Sequence, residues 1–157
     1  MLKYLYQKEV FREIPTEVSL GISISGCKIH CNDCNQKELW EDKGTPLTIE
    51  CVERLLQTHK GVTCLLLLGG EHDVDYLTFI FQHFHNRIKT AWYCGLDKIP
   101  NGHLGIVSYL DYLKLGHYDN KLGGLTSPTT NQQLYKIEHR GDGTYWENNI
   151  TFLLQSK

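Results

Sequence analysis

Val18-Ser19-Leu20-Gly21-Ile22-Ser23-Ile24-Ser25 alternates apolar with small polar residues without a break and runs straight into Gly26-Cys27. A period of two sends successive side chains to opposite faces, so this stretch predicts a strand. Downstream, Thr48 is placed to cap a helix in which Ile49, Val52, Leu55 and Leu56 recur at helical spacing before Gly61. Val62-Thr63-Cys64-Leu65-Leu66-Leu67-Leu68 is a short apolar run between glycines, which predicts a strand buried on both faces. It ends at Gly69-Gly70-Glu71, after which Asp73 suits the N-cap of a second helix whose Val74, Leu77, Phe81, Phe84 and Ile88 form one apolar stripe. Residues 90–94 and 110–115 predict a third and a fourth strand.

Strand and helix in alternation predict an α/β protein with a parallel sheet and right-handed crossovers. Ligands gather at the C-terminal strand ends of such sheets. The cysteines after the first strand and Gly69-Gly70-Glu71 after the second are therefore expected on one edge. Residues 120–131, rich in Gly, Thr, Pro and Asn, predict an ordered loop, and residues 134–140 and 144–152 flank Gly141-Asp142-Gly143 as a terminal β-hairpin. No linker is visible, so residues 1–157 are expected to form a single domain.

Composition narrows the function classes. With 41% hydrophobic and 22% charged residues the chain reads as an ordinary globular protein. A net charge of -2 lacks the broad basic footprint of a nucleic-acid binder. Charges interrupt the apolar residues of the N-terminus too early for a signal-peptide core, and no apolar run is long enough to span a bilayer. A cytoplasmic protein without nucleic-acid or membrane partners is expected.

Six cysteines without an export signal point to metal or redox chemistry rather than disulfides. Cys51, Cys64 and Cys94 stand alone within predicted elements and read as small core residues. Cys27, Cys31 and Cys34 follow a C-x3-C-x2-C spacing in a loop able to wrap a compact object. Soft thiolates select zinc or iron-sulfur clusters. Structural zinc normally takes four protein ligands, which His30 or His59 could complete. Three cysteines on a four-iron cluster instead leave one iron open to substrate. His83 and His85, two apart on one helix, face different ways and form no site.

Gly69-Gly70-Glu71 offers a closely approachable backbone followed by a carboxylate, and taken alone it is a tight turn into the second helix. Beside the cysteine spacing it resembles the radical S-adenosylmethionine enzymes. The likeness narrows at Trp92-Tyr93-Cys94-Gly95, Leu110-Asp111-Tyr112-Leu113-Lys114-Leu115-Gly116, Leu122-Gly123-Gly124-Leu125 and Ser127-Pro128-Thr129-Thr130-Asn131-Gln132. Running from about Pro15 into the terminal hairpin, it resembles the activating proteins of the anaerobic ribonucleoside-triphosphate reductase.

The resemblance implies an incomplete parallel (β/α) barrel and a [4Fe-4S] cluster held by Cys27, Cys31 and Cys34, whose open iron chelates S-adenosylmethionine. It implies that an electron from a low-potential donor such as flavodoxin cleaves the sulfonium. The 5′-deoxyadenosyl radical so formed would take a hydrogen from a glycine Cα of the large reductase subunit. It places Gly69, Gly70 and Glu71 at the methionine moiety, and Asp33, Cys34 and Asn35 where the cluster loop approaches the cofactor. Many relatives carry an aromatic residue where this chain has Asp33, so a backbone contact is expected there rather than adenine stacking. Asp111 and Lys114, read as lying near the end of the fourth strand, are candidates for positioning the cofactor carboxylate or the glycine loop, or else a surface ion pair. Residues 127–132 are a candidate partner surface or a hydrogen-bonded loop. Other targets compatible with the same chemistry are a different glycyl-radical enzyme or a small molecule, and a zinc-binding interaction module is the non-catalytic alternative.

Overall fold

A computed structural model describes residues 1–31 and 34–155. The four strands expected to run parallel do so: β2 (Ser19–Ile24), β4 (Cys64–Leu68), β5 (Lys89–Tyr93) and β6 (Tyr112–Leu115) are neighbours in one sheet. Two α-helices among the described residues, α1 (Ile49–Thr58) and α2 (Val74–Phe84), lie in the β2–β4 and β4–β5 connections. The expected caps are in place. Thr48 Oγ1 accepts the Cys51 N–H at 3.0 Å and an Asp73 carboxylate oxygen accepts the Tyr76 N–H at 3.2 Å, satisfying one open donor at each helix start.

The sheet is mixed and open. Its eight strands run in the order β3-β1-β2-β4-β5-β6-β7-β8, and β1 (Lys3–Val10), β3 (Thr45–Pro46), β7 (Gln133–His139) and β8 (Tyr145–Asn149) pair antiparallel on the two flanks. The architecture is thus a mixed α/β sheet with few helices, and the expected barrel curvature does not close it. The hairpin turn after β7, held by the Arg140 N–H on the Thr144 carbonyl at 2.8 Å, enforces antiparallel pairing. The hairpin is present but shorter than expected: the Asn149 side chain accepts the Thr151 N–H at 3.0 Å and turns the chain into a short 3₁₀ segment.

Period-two alternation divides the sheet's side chains between two cores. Leu20, Ile22, Ile24, Leu65, Leu67, Trp92 and Leu113 pack against Leu77, Ile80, Phe81 and Phe84 of α2, with Val52 of α1 in the same cluster. Cys64, Leu66, Ala91, Tyr112 and Leu134 pack on the other face with Ile14. This explains why β4 is apolar throughout. Cys51, Cys64 and Cys94 are buried, as expected, with burial pushing the Cys64 and Cys94 thiols up to about 12. Among the described residues no helix is long and apolar enough to cross a membrane.

Beneath the second face lies a polar knot. Glu17, only 6% exposed, accepts hydrogen bonds from Lys89 Nζ at 2.9 Å, Thr63 Oγ1 at 2.8 Å and Tyr112 OH at 3.0 Å. Burial opposes ionisation of this carboxyl, but the three donors hold it below the usual glutamate value. A carboxylate with a lowered folded-state pKa stabilises the fold above the ordinary glutamate range, and that contribution is lost as pH falls through the lowered value. Glu17→Ala is expected to cost about 2 kcal/mol at pH 7 by orphaning its donors. Urea midpoints should show the gap from wild type narrowing as the pH is lowered toward 3.

Candidate functional site

Because β2, β4, β5 and β6 point the same way, the segments that follow them emerge at one edge. There a cavity of about 200 Å³ is lined by Cys27, Cys31 and Cys34 after β2, Gly69 and Glu71 after β4, Gly95 after β5, and Lys114 and Gly116 at the end of β6. Strand register fixes the convergence, with Ser23 opposite Leu68, Leu68 opposite Tyr93 and Tyr93 opposite Lys114. The expected co-location of the cysteines with the Gly-Gly-Glu is therefore observed.

The cysteine loop is tied at its start. Ser25 N–H donates to the Lys3 carbonyl at 2.9 Å, Gly26 N–H to Glu41 at 3.1 Å and Cys27 N–H to Leu39 at 2.9 Å. Gly26 sits at φ +83 with its missing Cβ position 3.0 Å from His72 Nε2, so only glycine fits without strain. Further along, His30 stacks on Trp40 with ring centroids 4.2 Å apart and 15° between the planes. Gln36 N–H reaches Cys34 Sγ at 3.4 Å. Burial pushes the Cys27 thiol up, the Glu71 carboxylate adds to this, and the backbone N–H groups of Ile29 and His30 oppose it.

Gly69 and Gly70 both adopt positive φ, +98 and +88, so this turn needs glycine at both positions. The turn aims Glu71 at the third segment, where Oε1 accepts the Gly95 N–H at 2.5 Å. Gly95 is itself a close approach: a Cβ there would meet Ile29 Cδ1 at 2.5 Å. Lys114 is 7% exposed and donates to the Cys94 carbonyl at 3.2 Å and the Gly116 carbonyl at 2.7 Å. An ammonium has three donors; besides these two carbonyls, Nζ lies over the Tyr93 ring, 5.9 Å from its centroid. Burial holds the Lys114 pKa below its usual value.

Other expected site residues lie elsewhere. Asp111 precedes β6 rather than following it, so it sits at the opposite edge of the sheet. There its carboxylate accepts the Thr90 N–H at 2.9 Å and it lines a separate cavity with His139 and Arg140. Asn35 lines a neighbouring groove instead of the cysteine cavity. Gly70 is buried against Leu77, a backbone role rather than a lining one. Asp33 lies outside the described residues.

The loop before β7 is internally bonded: Ser127 Oγ and Thr129 Oγ1 each reach the Leu122 carbonyl at 2.8 Å. At its end Gln132 joins the cavity wall, its amide 3.4 Å from the Gly116 carbonyl. Trp40, Ile29, Gly95 and Gly116 also line the cavity, and none was singled out as a site residue from sequence. Gly95 and Gly116 could have been found by extending to β5 and β6 the strand-end rule that found Gly69; Trp40 carries no such local signal.

The donor set fits a soft polynuclear metal group better than a single ion. Structural zinc normally takes four protein donors about 2–2.3 Å from one point, and the cysteines lining this cavity are three. His59, a potential fourth zinc ligand, has its two ring nitrogens on Glu9 and Gln7 at 3.2 and 2.9 Å. A four-iron cluster is a larger object, and three thiols lining one cavity suit it. Comparison with known families agrees: the model of the 4Fe-4S single cluster domain matches residues 18–134. No curated protein and no solved structure matches the chain significantly.

Proposed function

The chain belongs to the 4Fe-4S single cluster domain family, and from that premise we propose that it is a radical S-adenosylmethionine activase of the anaerobic ribonucleoside-triphosphate reductase. Its ligands are Cys27, Cys31 and Cys34. The observation that carries the proposal is one cavity holding three thiols, a carboxylate and a buried ammonium, all at the C-terminal edge of four parallel strands.

When bound, the cluster supplies one-electron reductive cleavage of S-adenosylmethionine, which yields methionine and a 5′-deoxyadenosyl radical able to take hydrogen from a glycine Cα. The chain's own residues bind and orient. Glu71, fixed by the Gly95 N–H, presents a carboxylate to the cofactor's ammonium, and Lys114 presents its remaining N–H to the cofactor's carboxylate. Ile29, Leu39, Trp40 and Leu68 form apolar walls that exclude water. The open sheet serves as a shortened barrel whose unclosed side admits a protein substrate.

A groove of about 860 Å³ along β1 and β2 shares Gln36 and Leu68 with the cysteine cavity, and Gly21 and Ser23 keep its floor low. This supports entry of an extended glycine-bearing loop. The resemblance of residues 127–132 supports the large reductase subunit as its source, with a flavodoxin-like donor in a cytoplasmic, anaerobic setting.

Anaerobic incubation with the large reductase subunit, S-adenosylmethionine and reduced flavodoxin is expected to yield a glycyl doublet in electron paramagnetic resonance together with 5′-deoxyadenosine. Formation of 5′-deoxyadenosine without a doublet assigns the radical to another substrate. Neither product from a loaded cluster overturns the radical assignment.

A further inference from the structure

We propose that the Trp40 indole N–H donates a hydrogen bond to a sulfur of the cluster held by Cys27, Cys31 and Cys34, and thereby raises its reduction potential. The inference rests on the cluster assignment above and adds a residue outside the cysteine motif.

Trp40 Nε1 is sealed from solvent and has no acceptor among the described residues. A buried N–H left this way costs about 1–3 kcal/mol, and native proteins seldom leave one so. The other two tryptophans show the usual solutions: Trp92 Nε1 donates to the Gly69 carbonyl at 2.8 Å, and Trp146 is 57% exposed. Indole is a donor only, so whatever completes Trp40 must be an acceptor.

The same ring lines the cavity with all three thiols. It is also held in place by the motif it serves. His30, between Cys27 and Cys31, stacks on it, and the carbonyl of the preceding Leu39 accepts the Cys27 N–H at 2.9 Å. Thiolate and sulfide sulfurs are the acceptors that a cluster brings into this cavity. A hydrogen bond to cluster sulfur stabilises the more negative reduced state, and such bonds are among the factors that set cluster potentials.

Trp40→Phe keeps a ring for the His30 stack and removes only the N–H. Reconstituted without S-adenosylmethionine, the variant is expected to carry the same iron and sulfide as wild type. Its reduced-to-oxidised ratio at fixed poise should fall about tenfold, equivalent to a midpoint about 59 mV lower for a one-electron couple. A fully loaded variant with an unchanged midpoint overturns the bond while leaving the cluster assignment intact. If Trp40→Phe fails to load, wild-type protein with 15N-labelled indole decides: pulsed electron paramagnetic resonance of the reduced cluster should show coupling to 15N, and its absence overturns the bond. Wild type that takes up no iron or sulfide defeats the cluster assignment itself.

Discussion

Cys31→Ser is expected to abolish cluster loading and S-adenosylmethionine cleavage together. A hydroxyl is a hard, weakly acidic ligand, whereas the iron sites are matched to soft thiolate. With the proposed ligand set of Cys27, Cys31 and Cys34, loss of one leaves two thiols lining the cavity to hold the cluster. Cys94, which follows β5, is buried with its sulfur accepting the Leu96 N–H at 3.4 Å. The fold should survive, because Cys31 lies partly exposed in a loop outside both hydrophobic clusters. Thermal melting within a few degrees of wild type, with iron and labile sulfide near zero, is the expected pair of results. A Cys31→Ser protein that keeps full cluster and full cleavage activity shows that Cys31 is not a ligand.

Lys114→Met is expected to spare the cluster and cripple cofactor use. Methionine roughly matches the buried stem of lysine but removes the ammonium that faces the cavity. Removing the protein's half of the charge pair proposed with the cofactor's carboxylate is expected to cost about 3 kcal/mol, roughly a hundredfold in affinity. The apparent Kd for S-adenosylmethionine should therefore rise about a hundredfold, while iron and sulfide content stay unchanged. The variant also releases the Cys94 and Gly116 carbonyls, so its folding stability must be measured in parallel. Unaltered cofactor affinity in a folded, loaded variant would remove Lys114 from the site and leave it a buried tie between strand ends.

The parts of the fold legible in sequence were those whose signal is local. The alternation of residues 18–25, the apolar run to Leu68 and the caps Thr48 and Asp73 each act within a few residues, and all were found where expected. β1 was missed because its half-exposed Lys3–Val10 carries mixed charge and is made a strand by pairing with β2, with a register shift between Tyr4 and Tyr6.

The site shows the same division. Cys27, Cys31, Cys34, Gly69 and Glu71 were legible because each follows a strand that the pattern exposed. Asp111 was grouped with Lys114 although the two stand at opposite ends of the same strand: the carboxylate immediately precedes Tyr112 and so lies at the opposite edge from Lys114. Trp40 enters the cavity only through tertiary placement, from a 3₁₀ turn, whereas Gly95 follows β5 and was open to the same strand-end rule as Gly69.

Iron and acid-labile sulfide analysis of anaerobically reconstituted protein, joined to electron paramagnetic resonance of the reduced state, tests the central claim most directly. The account predicts [4Fe-4S] stoichiometry and a reduced-cluster signal that changes when S-adenosylmethionine is added, because an open iron meets its ligand. One bound zinc without labile sulfide, or a cluster signal indifferent to S-adenosylmethionine, would contradict it.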